Sequence, residues 1–216
     1  MTTKRKPRKR KVSSKKKKSQ MKISSRTFLA IGLICLIVIN ILIAYYEKGN
    51  ELATSSEIVQ SESANQTTIS FIESIGESAR QIAHQNDLYA SVMIAQAILE
   101  SSNGQSTLSQ APNYNFFGIK GDYNGNSVTL QTWEDDGSGN TYLIDADFRA
   151  YNSQEQSLQD YANLLQKSIY AGVHKSNTRT YMDATAALTG TYATDTYYGA
   201  KLNSLIESYG LTLYDL

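Results

Sequence analysis

Hydrophobic and polar positions divide the chain into three stretches of different character. Residues 28–46, FLAIGLICLIVINILIAYY, form an apolar run whose only strongly polar member is Asn40. Residues 47–66 are rich in Ser and Glu and poor in aliphatic side chains, which predicts a disordered linker. Beyond the linker, apolar positions recur at helical or strand spacing. We therefore predict one folded domain over residues 67–216, preceded by a linker and an apolar segment.

The first half of this domain is predicted to contain two helices and a hairpin. Apolar residues recur every three or four positions from Ile69 to Asn86, and a second helix runs from Tyr89 to about Ser101, with Asp87 as its candidate cap. The alternation in SVTLQTW and TYLIDADFRAY, on either side of EDDGSGN, is typical of a β-hairpin.

Three more helices are predicted after the hairpin. The first begins at Ser153, which forms a capping-box pattern with Gln156 ahead of SLQDYANLLQKSI. TYMDATAALTG gives the second, and the last begins near Thr194 and Asp195 and ends at Gly210. The predicted fold class is α+β, mainly α, with one small sheet.

The apolar run is long enough to cross a bilayer. As a helix it would measure about 28 Å, and the basic block ahead of it would stay in the cytoplasm. A cleaved signal peptide would have a shorter apolar region, of about 7–15 residues, and a small-residue cleavage site. The following AYYEKGN offers no such site. We predict a cytoplasmic tail over residues 1–26, one transmembrane signal anchor over residues 27–46, and an extracellular folded domain.

Charge is strongly polarised along the chain. Of the 21 Lys and Arg residues, 13 lie in residues 1–26, which hold no acid; the remaining 8 face all 20 Asp and Glu, a balance of −12. Next to a membrane span, the basic tract is interpreted as a topology signal with attraction to anionic lipid, not as a nucleic-acid site. The only cysteine is Cys35. The folded domain is therefore expected to depend on an ordinary core, without disulfides.

Glu100 is the first candidate for chemistry. It lies at the end of the helical stretch MIAQAILESSNG, on one face with Met93, Gln96 and Ala97. Partial desolvation and the negative end of the helix dipole both predict a raised pKa for its carboxyl group, as a general acid needs. No metal or cofactor motif is present, so the predicted chemistry is acid/base catalysis without a cofactor.

Five motifs in order, AQAILESSNG, NFFGIKG, TWE, FRAYNS and YATDTYYGAKL, resemble the glucosaminidase family of peptidoglycan hydrolases, glycoside hydrolase family 73. The resemblance covers roughly Ile69 to Leu216. It implies a lysozyme-like fold, with a helical lobe, a small β-hairpin lobe and a glycan cleft between them. It also implies cleavage of the bond after N-acetylglucosamine in peptidoglycan, with Glu100 as the catalytic acid.

The resemblance implies further site residues. Glu134 matches the family's T-x-E pattern and is the candidate second carboxylate, although Asp135, Asp136 or the substrate's own acetamido group could take that role. Tyr198 aligns with the family's functional tyrosine, whose phenol could bond the acetamido group or orient the attacking water. The residues expected to bind substrate are Gln96, Asn115, Phe116, Trp133 and Tyr197, although Trp133 could instead be buried.

The sequence as a whole predicts a membrane-anchored endo-β-N-acetylglucosaminidase that acts on the glycan strands of a Gram-positive-type envelope. Its role would be cell-wall remodelling or cell separation, and the sequence does not identify any protein partner. Two alternatives remain. One is a lytic transglycosylase-like muramidase, which would cut after N-acetylmuramic acid. The other is a weakly active, membrane-tethered scaffold that binds glycan.

Overall fold

The computed structural model describes residue 48, residues 59–135 and residues 140–216. Residues 59–216 form one compact unit. The predicted cytoplasmic tail, 1–26, and the predicted signal anchor, 27–46, lie outside the described residues. Among the residues that are described, no helix is both long and apolar enough to cross a membrane.

The first helix, α1, covers residues 59–85 of the described chain. Its apolar stripe, which includes Ile75, Ala79 and Ile82, is buried as the periodicity predicts. Residues 59–66, which the sequence assigns to the end of a disordered linker, are instead helical. Every side chain in this segment is exposed, so no apolar period marks it. Its helicity continues the backbone hydrogen bonding of α1, which periodicity cannot reveal.

The second helix, α2, is Ala90–Ser101, and every residue from Ala90 to Ile98 is buried. It ends where the sequence predicts, with Ser102 and Asn103 at positive φ. No side chain caps its beginning. The predicted cap, Asp87, instead accepts hydrogen bonds from the backbone N–H and hydroxyl of Ser176. Its carboxylate therefore joins two loops and does not begin a helix.

A two-stranded antiparallel hairpin follows, formed by β1, Ser127–Asp135, and β2, Thr141–Arg149. The register pairs Ser127 with Arg149 and Asp135 with Thr141, which confirms the predicted hairpin. Its base is fixed to the preceding loop, because the N–H of Arg149 donates to the carbonyl of Ile119 at 2.9 Å. On β2 the side chains from Thr141 to Asp145 are exposed, so this strand is held at its base.

Helices α3, Gln154–Leu165, α4, Tyr181–Leu188, and α5, Tyr198–Ser208, complete the fold together with short 3-10 segments. Ser153 accepts the N–H of Gln156 and so caps α3 as predicted. The last helix begins later than predicted, because the carboxylate of Asp195 accepts the N–H of Tyr197 in a turn that precedes the helix. The predicted class, α+β and mainly helical with one small sheet, is confirmed.

A buried acid ties the hairpin to α3. The carboxylate of Asp160, which is 7% exposed, accepts a hydrogen bond from the guanidinium of Arg149 at 2.6 Å and another from the hydroxyl of Tyr151 at 2.8 Å. The carbonyl of Arg149 accepts the side-chain amide of Asn115 at 2.8 Å. The last residue of β2 is thus fixed through both its backbone and its side chain.

We predict that Asp160→Ala lowers the free energy of unfolding of residues 59–216 by about 2–3 kcal/mol, because it leaves a partly buried guanidinium without its partner. Urea denaturation measures the change. The matched control is Glu77→Ala, which removes an ion pair to Arg80 on the exposed face of α1. Its effect should be much smaller. Equal effects of the two variants would contradict the structural role given to Asp160.

Candidate active site

Glu100 lies in the last turn of α2, at the open end of a helix that is otherwise buried. The turn after it is fixed by Ser101, whose hydroxyl donates to the carbonyl of Ala97 and accepts the N–H of Gly104 at 2.7 Å. The helix therefore stops one residue past Glu100, and the Glu100 side chain keeps contact with solvent.

A chain of side-chain hydrogen bonds leads from the core to this carboxylate. The hydroxyl of Tyr161 donates to the amide oxygen of Gln96, and the amide nitrogen of Gln96 donates to the hydroxyl oxygen of Tyr198 at 2.9 Å. The hydroxyl of Tyr198 then donates to Oε1 of Glu100 at 2.6 Å. We call these four residues, contributed by α2, α3 and α5, the hydrogen-bond chain.

The direction of each bond in the hydrogen-bond chain is fixed by the one before it. The Gln96 amide has one acceptor oxygen and one donor nitrogen, and Tyr161 occupies the oxygen. The nitrogen must then face Tyr198, whose single proton is left to point at Glu100. Oε1 of Glu100 is thereby used as an acceptor, and Oε2 is the oxygen available to carry a proton.

Partial desolvation raises the pKa of the Glu100 carboxyl group above its ordinary value, and the hydrogen bond from Tyr198 opposes part of that rise. The predicted direction of the shift is confirmed. Burial, followed by the nearby charge of Glu100, also raises the pKa of the Tyr198 phenol. Tyr198 therefore stays protonated and remains a donor.

Aromatic rings enclose the buried part of the hydrogen-bond chain. Phe117 stacks on Tyr161 with ring centroids 4.0 Å apart, and Tyr192 stacks on Tyr198 at 6.0 Å. The hydroxyl of Tyr192 donates to the carbonyl of Phe117 at 2.9 Å, which closes the ring of contacts. These side chains exclude water from Gln96, so its two hydrogen bonds form in a surrounding of low polarity.

Gly199 allows α5 to approach α4 closely enough to place Tyr198. A Cβ atom at this position would lie 2.8 Å from the carbonyl oxygen of Thr185. The N–H of Gly199 donates to the hydroxyl of Thr189 at 3.1 Å. Because Gly199 directly follows Tyr198, any larger residue would move the phenol that bonds Glu100.

Three residues predicted to bind substrate are buried. Gln96 has no exposed surface and belongs to the hydrogen-bond chain; Asn115 and Phe116 are each 1% exposed. Asn115 braces the loop around it, accepting the N–H of Ile119 and donating to the carbonyls of Ile119 and Arg149. Phe116 packs edge-on against Phe71. Their placement gives them supporting roles and leaves them no surface for a glycan to contact.

Of the other predicted site residues, the structure describes the side chains of Trp133 and Tyr197 but not that of Glu134. Trp133 is 67% exposed and Tyr197 is 72% exposed, so both present their rings to solvent; the alternative of a buried Trp133 is wrong. The backbone of Glu134 lies in β1 opposite Tyr142. The side chains of Glu134 and Asp135, and the whole of Asp136, lie outside the description.

Sequence reasoning missed Tyr161 and Gly199. The only signal for Tyr161 is its place among the apolar residues of SLQDYANLL, which predicts burial but not a hydrogen bond to Gln96. The close approach at Gly199 depends on how two helices pack. Within the described ranges, no group of three or more His, Cys, Asp or Glu side chains is arranged to hold a metal ion.

Comparison with known proteins agrees with this fold. A family model named Glucosaminidase, described as mannosyl-glycoprotein endo-beta-N-acetylglucosaminidase, matches residues 76–211. The chain is 51% identical over 168 residues to "Autolysin" of Enterococcus faecalis, covering 74% of this chain and 23% of that protein. It is 49% identical over 170 residues to "Probable N-acetylmuramidase" of Lactococcus lactis, covering 76% and 38%. The chain thus spans less than two fifths of the length of these relatives.

Among solved structures, the chain is similar to the catalytic domain of the autolysin Auto from Listeria monocytogenes. The two share 51% sequence identity with a TM-score of 0.66, over 69% of this chain and 88% of that one. Over this matched part, the fold of the chain is therefore similar to that of the crystallised domain.

We predict that Glu100→Gln makes residues 59–216 more stable at pH 7. Because the folded state raises the pKa of Glu100, folding favours its protonated form, and stability falls as pH rises from the ordinary value of 4.5 through the raised one. Gln keeps the acceptor for Tyr198 and carries no charge. Melting temperatures at pH 4 and pH 7 test this: the advantage of the variant should be larger at pH 7.

The control for this pH effect is Glu77→Gln, because the Arg80 guanidinium lowers the pKa of Glu77 to about 2. Its stabilising ion pair is present above pH 4.5 and is lost as pH falls toward 2. Glu77→Gln should therefore be no more stable than the parent at pH 7. A Glu100→Gln variant that is less stable than the parent at pH 7 would contradict the raised pKa.

Proposed function

The chain belongs to the glucosaminidase family, and on this premise we propose that it hydrolyses peptidoglycan as an endo-β-N-acetylglucosaminidase, at the β-1,4 bond after N-acetylglucosamine. The observation that carries the proposal is the Glu100 carboxyl group, which has a raised pKa, is open to solvent and is held by Tyr198. The name "Autolysin" of a relative at 51% identity supports a role in cell-wall remodelling or cell separation.

In the proposed reaction Glu100 is the general acid. With Oε1 accepting from Tyr198, the proton resides on Oε2 and is transferred to the leaving glycosidic oxygen as the bond from that oxygen to the anomeric carbon breaks. Positive charge then develops on the sugar ring. The carboxylate left behind lies next to this charge and stabilises it.

A second group must deliver the water, and we propose Glu134 for it. Every second residue of a strand lies on the same face. Position 134 therefore belongs to the same face of β1 as Val128, Leu130 and Thr132, which are half-buried. Glu134 would activate water or steady the cationic transition state. Asp135, Asp136 or the substrate's acetamido group remain alternatives for this role.

We assign Tyr198 to positioning and the exposed aromatic residues to binding. Both the proton and the acceptor lone pair of the Tyr198 hydroxyl are used within the hydrogen-bond chain, and the residue is 3% exposed. It would therefore act on catalysis through Glu100 and not by contacting the acetamido group or water. Trp133 and Tyr197 present rings on which sugar faces can pack.

We further propose that residues 27–46 anchor the chain in the cell membrane, with residues 1–26 in the cytoplasm and the catalytic domain outside. The balance of −12 beyond residue 26 would weaken attraction to an envelope that carries anionic polymers. A membrane anchor offsets this by raising the local concentration of the domain near its substrate. Cutting would then be confined to glycan close to the membrane.

Digestion of purified peptidoglycan by the full-length chain tests the reaction. We expect N-acetylglucosaminitol ends by mass spectrometry after borohydride reduction, with the rate falling about 10²–10⁴-fold in Glu100→Gln and reduced in Glu134→Gln. The control is Glu73→Gln, an exposed glutamate on α1. Muramic or anhydro-muramic ends would instead place the chain with muramidases or lytic transglycosylases. No product from the wild type would favour the glycan-binding scaffold.

The anchor has its own test. Cells in which residues 1–46 are replaced by a cleavable export signal should cut membrane-proximal glycan less than cells with the native chain at equal abundance. The control joins residues 47–216 to an unrelated membrane span, which should restore cutting. Undiminished cutting by the released domain would refute the role of the anchor.

A further inference from the structure

A concave site is lined by none of the four residues of the hydrogen-bond chain. It is a cavity of about 670 Å³ between α1, the loop after α2 and the beginning of α3. Its size falls in the range of about 300–1,000 Å³ that is usual for small-ligand sites. Neither Glu100 nor the residues of the hairpin line it.

The walls of this cavity carry hydroxyls and amides but no charged side chain. This is unusual in a domain, residues 59–216, that holds 17 Asp and Glu against 7 Lys and Arg. Within the part of the chain that the structure describes, four lining amides form no side-chain hydrogen bond; they belong to Gln66, Asn103, Gln105 and Gln154. These amides offer free donors and acceptors to a neutral polar ligand.

Aromatic rings complete the lining. Tyr114 is half-buried, and the rings of Phe71 and Phe116, which also line the cavity, are almost fully buried. Tyr114 has φ of +50°, a backbone conformation that is rare for a bulky side chain. Its N–H donates to the carbonyl of Gln110 at 3.1 Å, which holds the turn. Strain of this kind is found at binding sites, where a ring must be presented in a set direction.

We propose that this cavity binds a neutral amido sugar of the N-acetylglucosamine type, separately from the proposed active site at Glu100. Hydroxyl and acetamido groups of the sugar would pair with the free amides of Gln66 and Gln105, and its apolar face would pack on Tyr114. The inference goes beyond the proposed function, because a strand held here is bound and not cut.

The test uses the full-length chain carrying Glu100→Gln, so that the probe, a β-1,4 trimer of N-acetylglucosamine, is not consumed. Trp133 is the only tryptophan, so its fluorescence reports binding at the hairpin, while calorimetry counts every bound trimer. We expect two binding events. Gln66→Ala with Gln105→Ala should weaken one of them about 10-fold, as loss of two hydrogen bonds predicts, and leave the Trp133 titration unchanged.

The matched control is Gln81→Ala with Gln159→Ala, an exposed amide on α1 and a half-buried one on α3 that do not line the cavity. This pair should change neither titration. The inference is overturned if the cavity variant changes neither titration, if it shifts both equally, or if maltotriose or a stem peptide binds in place of the trimer. A chain that binds in the cavity but cuts no peptidoglycan would refute the proposed function and leave this inference standing.

Discussion

The structure depends most on one requirement: Gln96, fully buried in the central helix, must have both ends of its amide satisfied. An unpaired amide in such a site costs about 1–3 kcal/mol. Its oxygen accepts from Tyr161 on α3 and its nitrogen donates to Tyr198 on α5, so the two helices are tied to α2 at one point. The Tyr198 proton that remains is directed at Glu100. A packing requirement in the core thereby sets the geometry of the carboxyl group at the surface.

The hairpin is fixed by an independent arrangement. Asp160 holds the side chain of Arg149, and Asn115 holds its backbone carbonyl, so the base of the β lobe is joined to α3 and to the loop before β1. The proposed second carboxylate and the exposed ring of Trp133 lie further along the same hairpin. The acid and the hairpin are therefore held by separate contacts.

Much of this architecture could be predicted from the sequence. The end of α2, the hairpin and the cap of α3 each have a local signal, in Asn103 and Gly104, in strand alternation and in Ser153. The helical residues 59–66 have none, since every one of their side chains is exposed. The burial of Asn115 and Phe116 depends on contacts with Arg149 and Phe71, which are distant in sequence. The apolar pattern of α2 predicts which face of the helix carries Gln96, but it does not predict the two tyrosines that bond its amide. Because of those two bonds, Gln96 supports the site and does not contact substrate.

The central claim is that the hydrogen-bond chain holds a Glu100 carboxyl group of raised pKa. A carbon-13 NMR titration of the glutamate carboxyl groups, with the Glu100 signal assigned by its loss in Glu100→Gln, measures this pKa directly. The structure predicts a value above the ordinary 4.5, and a higher one still in Tyr198→Phe, where the lowering effect of the phenol is gone. A pKa at or below 4.5, or one that is unchanged in Tyr198→Phe, would contradict the claim.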